Sequence, residues 1–251
     1  MGQENRNILL DKGDFPEEIP GICEYIDIPD EREILLSMWE QIVEKEETLG
    51  VGEKRMLVNC HSHDRHNVFG KTKWQSYAMG DLGDTDNGNG KIFEPLLQRH
   101  RQVHPDMQLR STGFNFSDSE KKELYVHTDL DPKSEHPNYF NIVFPVHGAS
   151  RIDYYETRPE EIWLPERNAR KEYYYHEFRP EFKFDKEHNE GRRIGHITVD
   201  KPVLIDTDVL HGVQIQKAPR LAFVVRYNNI PKELDFHAFK AHAEEVLNAL
   251  G

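Results

Sequence analysis

His127-Thr128-Asp129 is the stretch of this chain whose residue types are best suited to chemistry. A His-x-Asp on an extended strand projects both side chains to the same side, because side chains alternate with a period of two. His211, far downstream, can complete a set of two imidazoles and one carboxylate. Such a set occupies one face of an octahedron and leaves the opposite face open. That suits a non-haem Fe(II) that must still take a cosubstrate and dioxygen. Arg220 follows His211 closely. Its planar guanidinium is matched to a carboxylate, which it can grip through two parallel hydrogen bonds.

Two other stretches compete for attention. His61, His63 and His66 begin like a hydrolytic zinc site. The residues around them are polar, and no carboxylate or lysine follows at a recognisable spacing, so a solvated loop is the better reading. Residues 80–90, GDLGDTDNGNG, look like a calcium loop but fail its register. With Asp84 as the first position, a glycine takes the place of the third ligand and Pro95 that of the terminal glutamate. A surface loop fits better.

The elements that must position these residues can be read from periodicity. Residues 1–28 are polar and broken by Pro16, Pro20 and Gly21. Asp30, with Glu33 behind it, can cap a helix whose apolar stripe is Ile34, Leu35, Met38, Trp39, Ile42 and Val43, ended by Gly50 and Gly52. Phe93, Leu96 and Leu97 suggest a short helix that stops before His104-Pro105. From about residue 108 the pattern becomes extended. Strands are predicted at 109–116, 123–127, 139–146, 151–157, 172–178, 194–200, 203–206, 213–216 and 221–227. Many short strands separated by turn residues suggest a sandwich or barrel, not βαβ units. Residues 158–171, rich in Arg and Glu, read as a solvated loop, with a lid over the site as the functional alternative. Pro231 is placed to open a last helix striped by Phe239, Ala243, Val246, Leu247 and Leu250. Core packing or a homodimer contact would each explain that stripe.

The predicted organisation is one domain. Residues 1–107 form a helical and loop region packing on a β core, residues 108–230 form that core, and residues 231–251 form a C-terminal helix. Charged residues make up 31% of the 251, and the formal net charge is −13. A large acidic excess argues against bulk nucleic acid as a partner. The two cysteines, Cys23 and Cys60, form neither a disulfide scaffold nor a cysteine-rich zinc site. A reducing cytoplasm is therefore the expected compartment. No secretory signal opens the sequence and no apolar run approaches ~20 residues, so no membrane association is expected.

Taken in order, Tyr125-Val126-His127-Thr128-Asp129, the strand Asn141-Ile142-Val143-Phe144-Pro145-Val146, Val203-Leu204-Ile205-Asp206-Thr207, His211-Gly212-Val213 and Arg220-Leu221-Ala222-Phe223 resemble the Fe(II)/2-oxoglutarate-dependent dioxygenases. The resemblance implies a mainly β protein with flanking helices, built on a double-stranded β-helix (a cupin-like jelly roll). It implies iron held by His127, Asp129 and His211, with 2-oxoglutarate chelating the metal and Arg220 holding its far carboxylate. The implied reaction is hydroxylation of a small molecule or protein side chain, with release of succinate and CO2. The family often carries Arg-x-Ser, and here the third residue is Ala222. Asn141 and Tyr125 are the residues expected to supply the missing polar contact. The alternative reading is a non-enzymatic, cupin-like metal- or ligand-binding protein. A buried Arg220 would speak against it, because a plain metal site has no use for that cation.

The alternation along the last long stretch gives one further expectation. Arg220, Ala222, Val224 and Arg226 should share the face turned into the core, and Leu221, Phe223, Val225 and Tyr227 the face turned to the helices. The two arginines would then lie about 20 Å apart, too far to grip one small diacid.

Overall fold

β-Branched and aromatic residues recur along two stretches, and each forms a single long strand. In the computed structural model these are β5 (Asn138–Tyr155) and β10 (His211–Ile230), paired antiparallel along their length. The structure describes residues 16–48, 74–78, 90–105, 112–117, 126–127, 138–156, 162–163, 177–178 and 193–251. The remaining strands are β1 (Cys23–Tyr25), β2 (Trp74–Ala78), β3 (Gly113–Ser117), β4 (Val126–His127), β6 (Ile162–Trp163), β7 (Glu177–Phe178), β8 (Arg193–Val199) and β9 (Val203–Asp206). One eight-stranded sheet runs β1-β9-β5-β10-β3-β2, with β4 added on β10 and β8 on β5, while β6 and β7 pair separately. This gives a mainly antiparallel β architecture with flanking helices, and among the described residues the sheet does not close into a ring.

Several expectations are corrected here. Residues 139–146 and 151–157 are not separate strands. The ladder continues through Gly148, which adopts a φ of 72°. Residues 213–216 and 221–227 are likewise one strand that carries Pro219 in a bulge. A bulge absorbs extra residues without ending the pairing, so local turn residues misled the prediction. The N-terminal region is also not only helix and loop, since β1 pairs with β9 and β2 with β3.

Three helices flank the sheet: α1 (Arg32–Thr48), α2 (Gly90–Val103) and α3 (Phe236–Leu250). Asp30 supports the start of α1 by accepting from the Arg32 amide at 2.9 Å. Leu35, Met38 and Ile42 are buried as expected, but Ile34 is half exposed, because it falls at the edge of the stripe. α2 is longer than expected and accommodates Pro95. α3 begins after Pro231, at Asp235, whose carboxylate accepts from the Ala238 amide at 2.9 Å. A side-chain oxygen at the N-cap satisfies an amide that the helix itself leaves unpaired, and this outweighs the preset φ of the earlier proline. Phe239, Ala243 and Leu247 are buried, while Leu250 lies outside the packed face.

The sheet therefore has two apolar faces. Phe140, Ile142, Phe144, Leu221, Phe223, Val225 and Tyr227 pack under the helices with Leu35, Phe93, Leu97 and Phe239. Each fully buried large apolar side chain here contributes roughly 1.5–3 kcal/mol. Val143, Ile152, Tyr154, Ile197, Val203, Ile205, Ala222 and Val224 form the second cluster, on the other face. Alternation along β10 thus divides its residues between the two faces as the sequence predicts. A buried polar group ties the helices on. His100 Nδ1 lies 2.6 Å from Tyr227 Oη, and Arg99 Nη1 lies 3.0 Å from Glu31 Oε1. Burial and the nearby Glu31 charge hold the Tyr227 phenol well above its ordinary pKa, so it stays protonated.

Candidate functional site

The second apolar face carries the candidate site. β4 and β5 both pair with β10 at the same point, so His211 stands opposite His127 on one side and opposite Tyr154 on the other. Directly opposed residues of an antiparallel pair lie on the same face. The two histidine positions predicted as ligands are therefore brought together at one register position. Asp129 and Tyr125 lie outside the described residues, as do His61, His63, His66 and residues 158–161 and 164–171. Among the described residues no group of three histidine, cysteine or acidic side chains converges on a metal-sized space.

His211 is 4% exposed. Its Nδ1 lies 2.8 Å from the Val209 carbonyl oxygen. A carbonyl only accepts, so Nδ1 carries the hydrogen and Nε2 is the basic nitrogen. This is the tautomer and support that a metal-ligating imidazole needs. The Tyr154 ring packs beside it, with centroids 5.9 Å apart, and fixes the orientation of the imidazole. The tautomer of His211 is one that a metal-ligating imidazole can use.

Arg220 is 3% exposed, and its Nε donates to Ser150 Oγ at 3.2 Å. Among the described residues this is the one hydrogen bond its side chain makes, and no carboxylate pairs with it. Burial alone pushes its pKa down, to about 10, with no acidic neighbour offsetting the loss of water. It remains a cation at neutral pH. Burying such a charge without a partner costs several kcal/mol. Ser150 is itself buried and stands opposite Val199 of the second cluster, so the pair lies on the same sheet face as His211.

A tight approach of the strands creates this arrangement. Three residues, Ala218, Pro219 and Arg220, bulge between Lys217 opposite Ala149 and Leu221 opposite His147, with Gly148 facing them. A Cβ on Gly148 would strike the carbonyl oxygens of Lys217 and Pro219 and the Cα of Arg220. Only a residue without a side chain lets the bulge close and set Arg220 against Ser150.

Asn141 and Arg226 occupy a different place. They oppose each other on β5 and β10, with Ile205 on the far side of Asn141. Asn141 is 3% exposed, and its Oδ1 has no hydrogen-bond partner among the described residues. The residue found on Arg220 is Ser150, which the sequence reading missed. A lone serine on a strand carries no spacing signal of its own.

The opposite face of the β5–β8 edge holds an ion cluster. Asp153 is fully buried and pairs with Arg151 at 2.9 Å and with Arg193 at 3.6 Å. Burial raises its pKa, and the two guanidiniums oppose that shift. Because Asp153 opposes Gly212, which has no side chain, the cluster lies behind the His211 position and not within the site.

No protein-family model matches this sequence, and no curated protein matches it.

Proposed function

We propose that this protein is a Fe(II)- and 2-oxoglutarate-dependent oxygenase of the double-stranded β-helix type. His127, Asp129 and His211 would hold the iron. The substrate would be a small molecule or a protein side chain, and the protein would work in the cytoplasm. The observation that carries this reading is Arg220, a buried cation with no carboxylate beside it among the described residues. Such a group calls for an anionic ligand, and a metal-chelating diacid supplies one. The position opposite His211, Tyr154, lies four residues from Ser150 along β5, about 13 Å. A guanidinium arm and a diacid of the length of 2-oxoglutarate would span that gap together.

The architecture supports the same reading. β5 and β10 each change neighbours at the bulge, from β9 and β3 to β8 and β4, as strands do when they pass from one wall of a jelly roll to the other. Bound iron would supply the oxidation of 2-oxoglutarate to succinate and CO2 coupled to hydroxylation. The chain's own residues orient the imidazole, hold the far carboxylate and exclude water with apolar neighbours. The test is direct. Protein incubated with Fe(II), 2-oxoglutarate and O2 should form succinate slowly even without a prime substrate. No succinate, together with no binding of 2-oxoglutarate, would leave the cupin-like binding protein as the better reading.

A further inference from the structure

We infer that residues 16–22 form a hinged strap over the second apolar face, and that this strap has to lift before a ligand reaches His211. The starting point is a row of positions. His127 opposes His211, His211 opposes Tyr154, and Tyr154 opposes Gly195. Opposed residues share a face, so the row crosses β4, β10, β5 and β8 on the side of the second apolar cluster. It ends at Gly195, which has no side chain. A Cβ there would lie 2.6 Å from Ile19 Cδ1 and Cγ1 and 3.2 Å from the Pro16 carbonyl oxygen. The strap therefore lays Ile19 into the space that a side chain would fill, and Ile19 packs on the second cluster from there. Two strand spacings, about 10 Å, separate Gly195 from His211.

The strap is held firmly on β1 and weakly on β8. At the β1 end, Ile19 and Cys23 exchange two backbone hydrogen bonds, of 3.0 and 2.9 Å, and the Ile22 amide donates to the Ile19 carbonyl at 2.9 Å. Pro20 and Gly21 form the centre of this turn, with Gly21 at a φ of 77° that glycine adopts without strain. The Glu18 carboxylate accepts from the Tyr25 amide at 2.8 Å. At the β8 end, among the described residues, one backbone hydrogen bond crosses, from the His196 amide to the Pro16 carbonyl at 3.1 Å. Pro16, Glu17, Glu18 and Pro20 are exposed and Ile19 is half-buried, so Ile19 is the main apolar surface that lifting uncovers. Local opening is drawn from segments held this weakly. The strap swings on β1, at one end of the strand order, and its release bares the β8 side of Tyr154 and His211. The inference rests on the oxygenase reading only in taking His211 as the group to be reached.

The probe is diethyl pyrocarbonate, which acylates neutral imidazole nitrogens. It is applied to metal-free protein at fixed pH, and each histidine is followed by peptide mass spectrometry. His211 is 4% exposed, whereas His147 is exposed and serves as the internal reference. In wild type, His211 should react about a hundredfold more slowly than His147, at the rate its local opening allows. Ile19→Ala should speed the His211 reaction about tenfold, since the apolar anchor is lost. Glu18→Ala removes the acceptor of the Tyr25 amide and should speed it about threefold, while Glu18→Gln keeps an acceptor and should stay near wild type. Asp235→Ala weakens the α3 cap without touching the strap and should leave the His211 rate unchanged. The strap is overturned if wild-type His211 reacts as fast as His147, or if neither Ile19→Ala nor Glu18→Ala speeds it. It is also overturned if Asp235→Ala speeds it as much as Ile19→Ala, because His211 is then reached by general unfolding. Neither iron nor 2-oxoglutarate enters this test. A failed strap therefore leaves the oxygenase reading standing, and an absence of succinate and of 2-oxoglutarate binding leaves the strap standing.

Discussion

His211 faces Tyr154 across the β5–β10 ladder, their ring centroids 5.9 Å apart and their planes inclined at 34°. The contact joins the candidate metal position to a fully buried aromatic side chain of the second apolar cluster. It makes the orientation of His211 a property of the fold and not of the metal. The His211 side of the proposed site should therefore be preformed before any ligand arrives.

That preorganisation gives the first prediction. Anaerobic addition of Fe(II) and 2-oxoglutarate to the apo-protein should produce a weak visible charge-transfer band. His127→Ala and Asp129→Ala should each remove it, with little change in Tm. A band that survives both substitutions places the metal elsewhere.

The two arginines of β10 should behave differently. Arg220→Ala should weaken 2-oxoglutarate binding about thirtyfold or more, since a buried charge-assisted pair is lost. Arg220→Lys keeps the charge without the fork and should fall between that variant and wild type. Arg226 opposes Asn141 at the other end of the face. Arg226→Ala should leave the affinity nearly unchanged, and calorimetric titration of the three variants orders them. The assignment fails if Arg226→Ala is the most damaging.

Asp206 governs a pH response. Burial raises its pKa to about 6, and its one stabilising contact in the described structure is the Asp208 amide at 2.8 Å. The folded protein therefore binds this proton more tightly than the unfolded chain does. Its favourable contribution is complete below about pH 4 and is lost as pH rises through about 6, a change of up to about 3 kcal/mol. Asp206→Asn removes the ionisation and can still accept from the amide. It should raise Tm at pH 7.5 and change it little at pH 4, as read from unfolding curves at both pH values. An equal effect at the two pH values would rule the ionisation out.

Backbone space at Gly148 sets the last prediction. Gly148→Ala brings a methyl into the carbonyls of Lys217 and Pro219 and strains a φ of 72°. It should cost at least about 2 kcal/mol. It should also displace Arg220 and weaken 2-oxoglutarate binding. Asp235→Ala, which removes only the α3 cap, should cost about 1 kcal/mol and leave 2-oxoglutarate binding intact. Urea unfolding and 2-oxoglutarate titration of the two variants separate general loss of stability from loss of the site.

Much of this was legible in the chain because it is local. Val203-Leu204-Ile205-Asp206 is read as a strand and is one, since its residue types prefer the pleated, buried state. The faces of β10 follow from a period of two. The ends of elements were less legible. Gly148 and Pro219 look like stops, but the ladder outlasts them because neighbouring strands supply the pairing. The chemistry-bearing residues His211 and Arg220 stand out by type. Their surroundings do not. That His127 opposes His211, and that Ser150 meets Arg220, is fixed by register between distant strands, which no local spacing encodes.

The long pairing of β5 with β10 also decides when the site can exist. Ser150 and Arg220 are 70 residues apart in the chain, and the ladder that joins them begins by matching Asn138 with Ile230. Closing loops of that size costs chain entropy before any contact repays it, so high contact order slows folding. The helices can form early from near neighbours. The Arg220–Ser150 pair and the two opposed histidine positions come together only once β10 has paired with β5 and β4. A chain whose β10 ladders are still open therefore has none of the site's chemistry, and the ability to bind a ligand there is a marker that those ladders have closed.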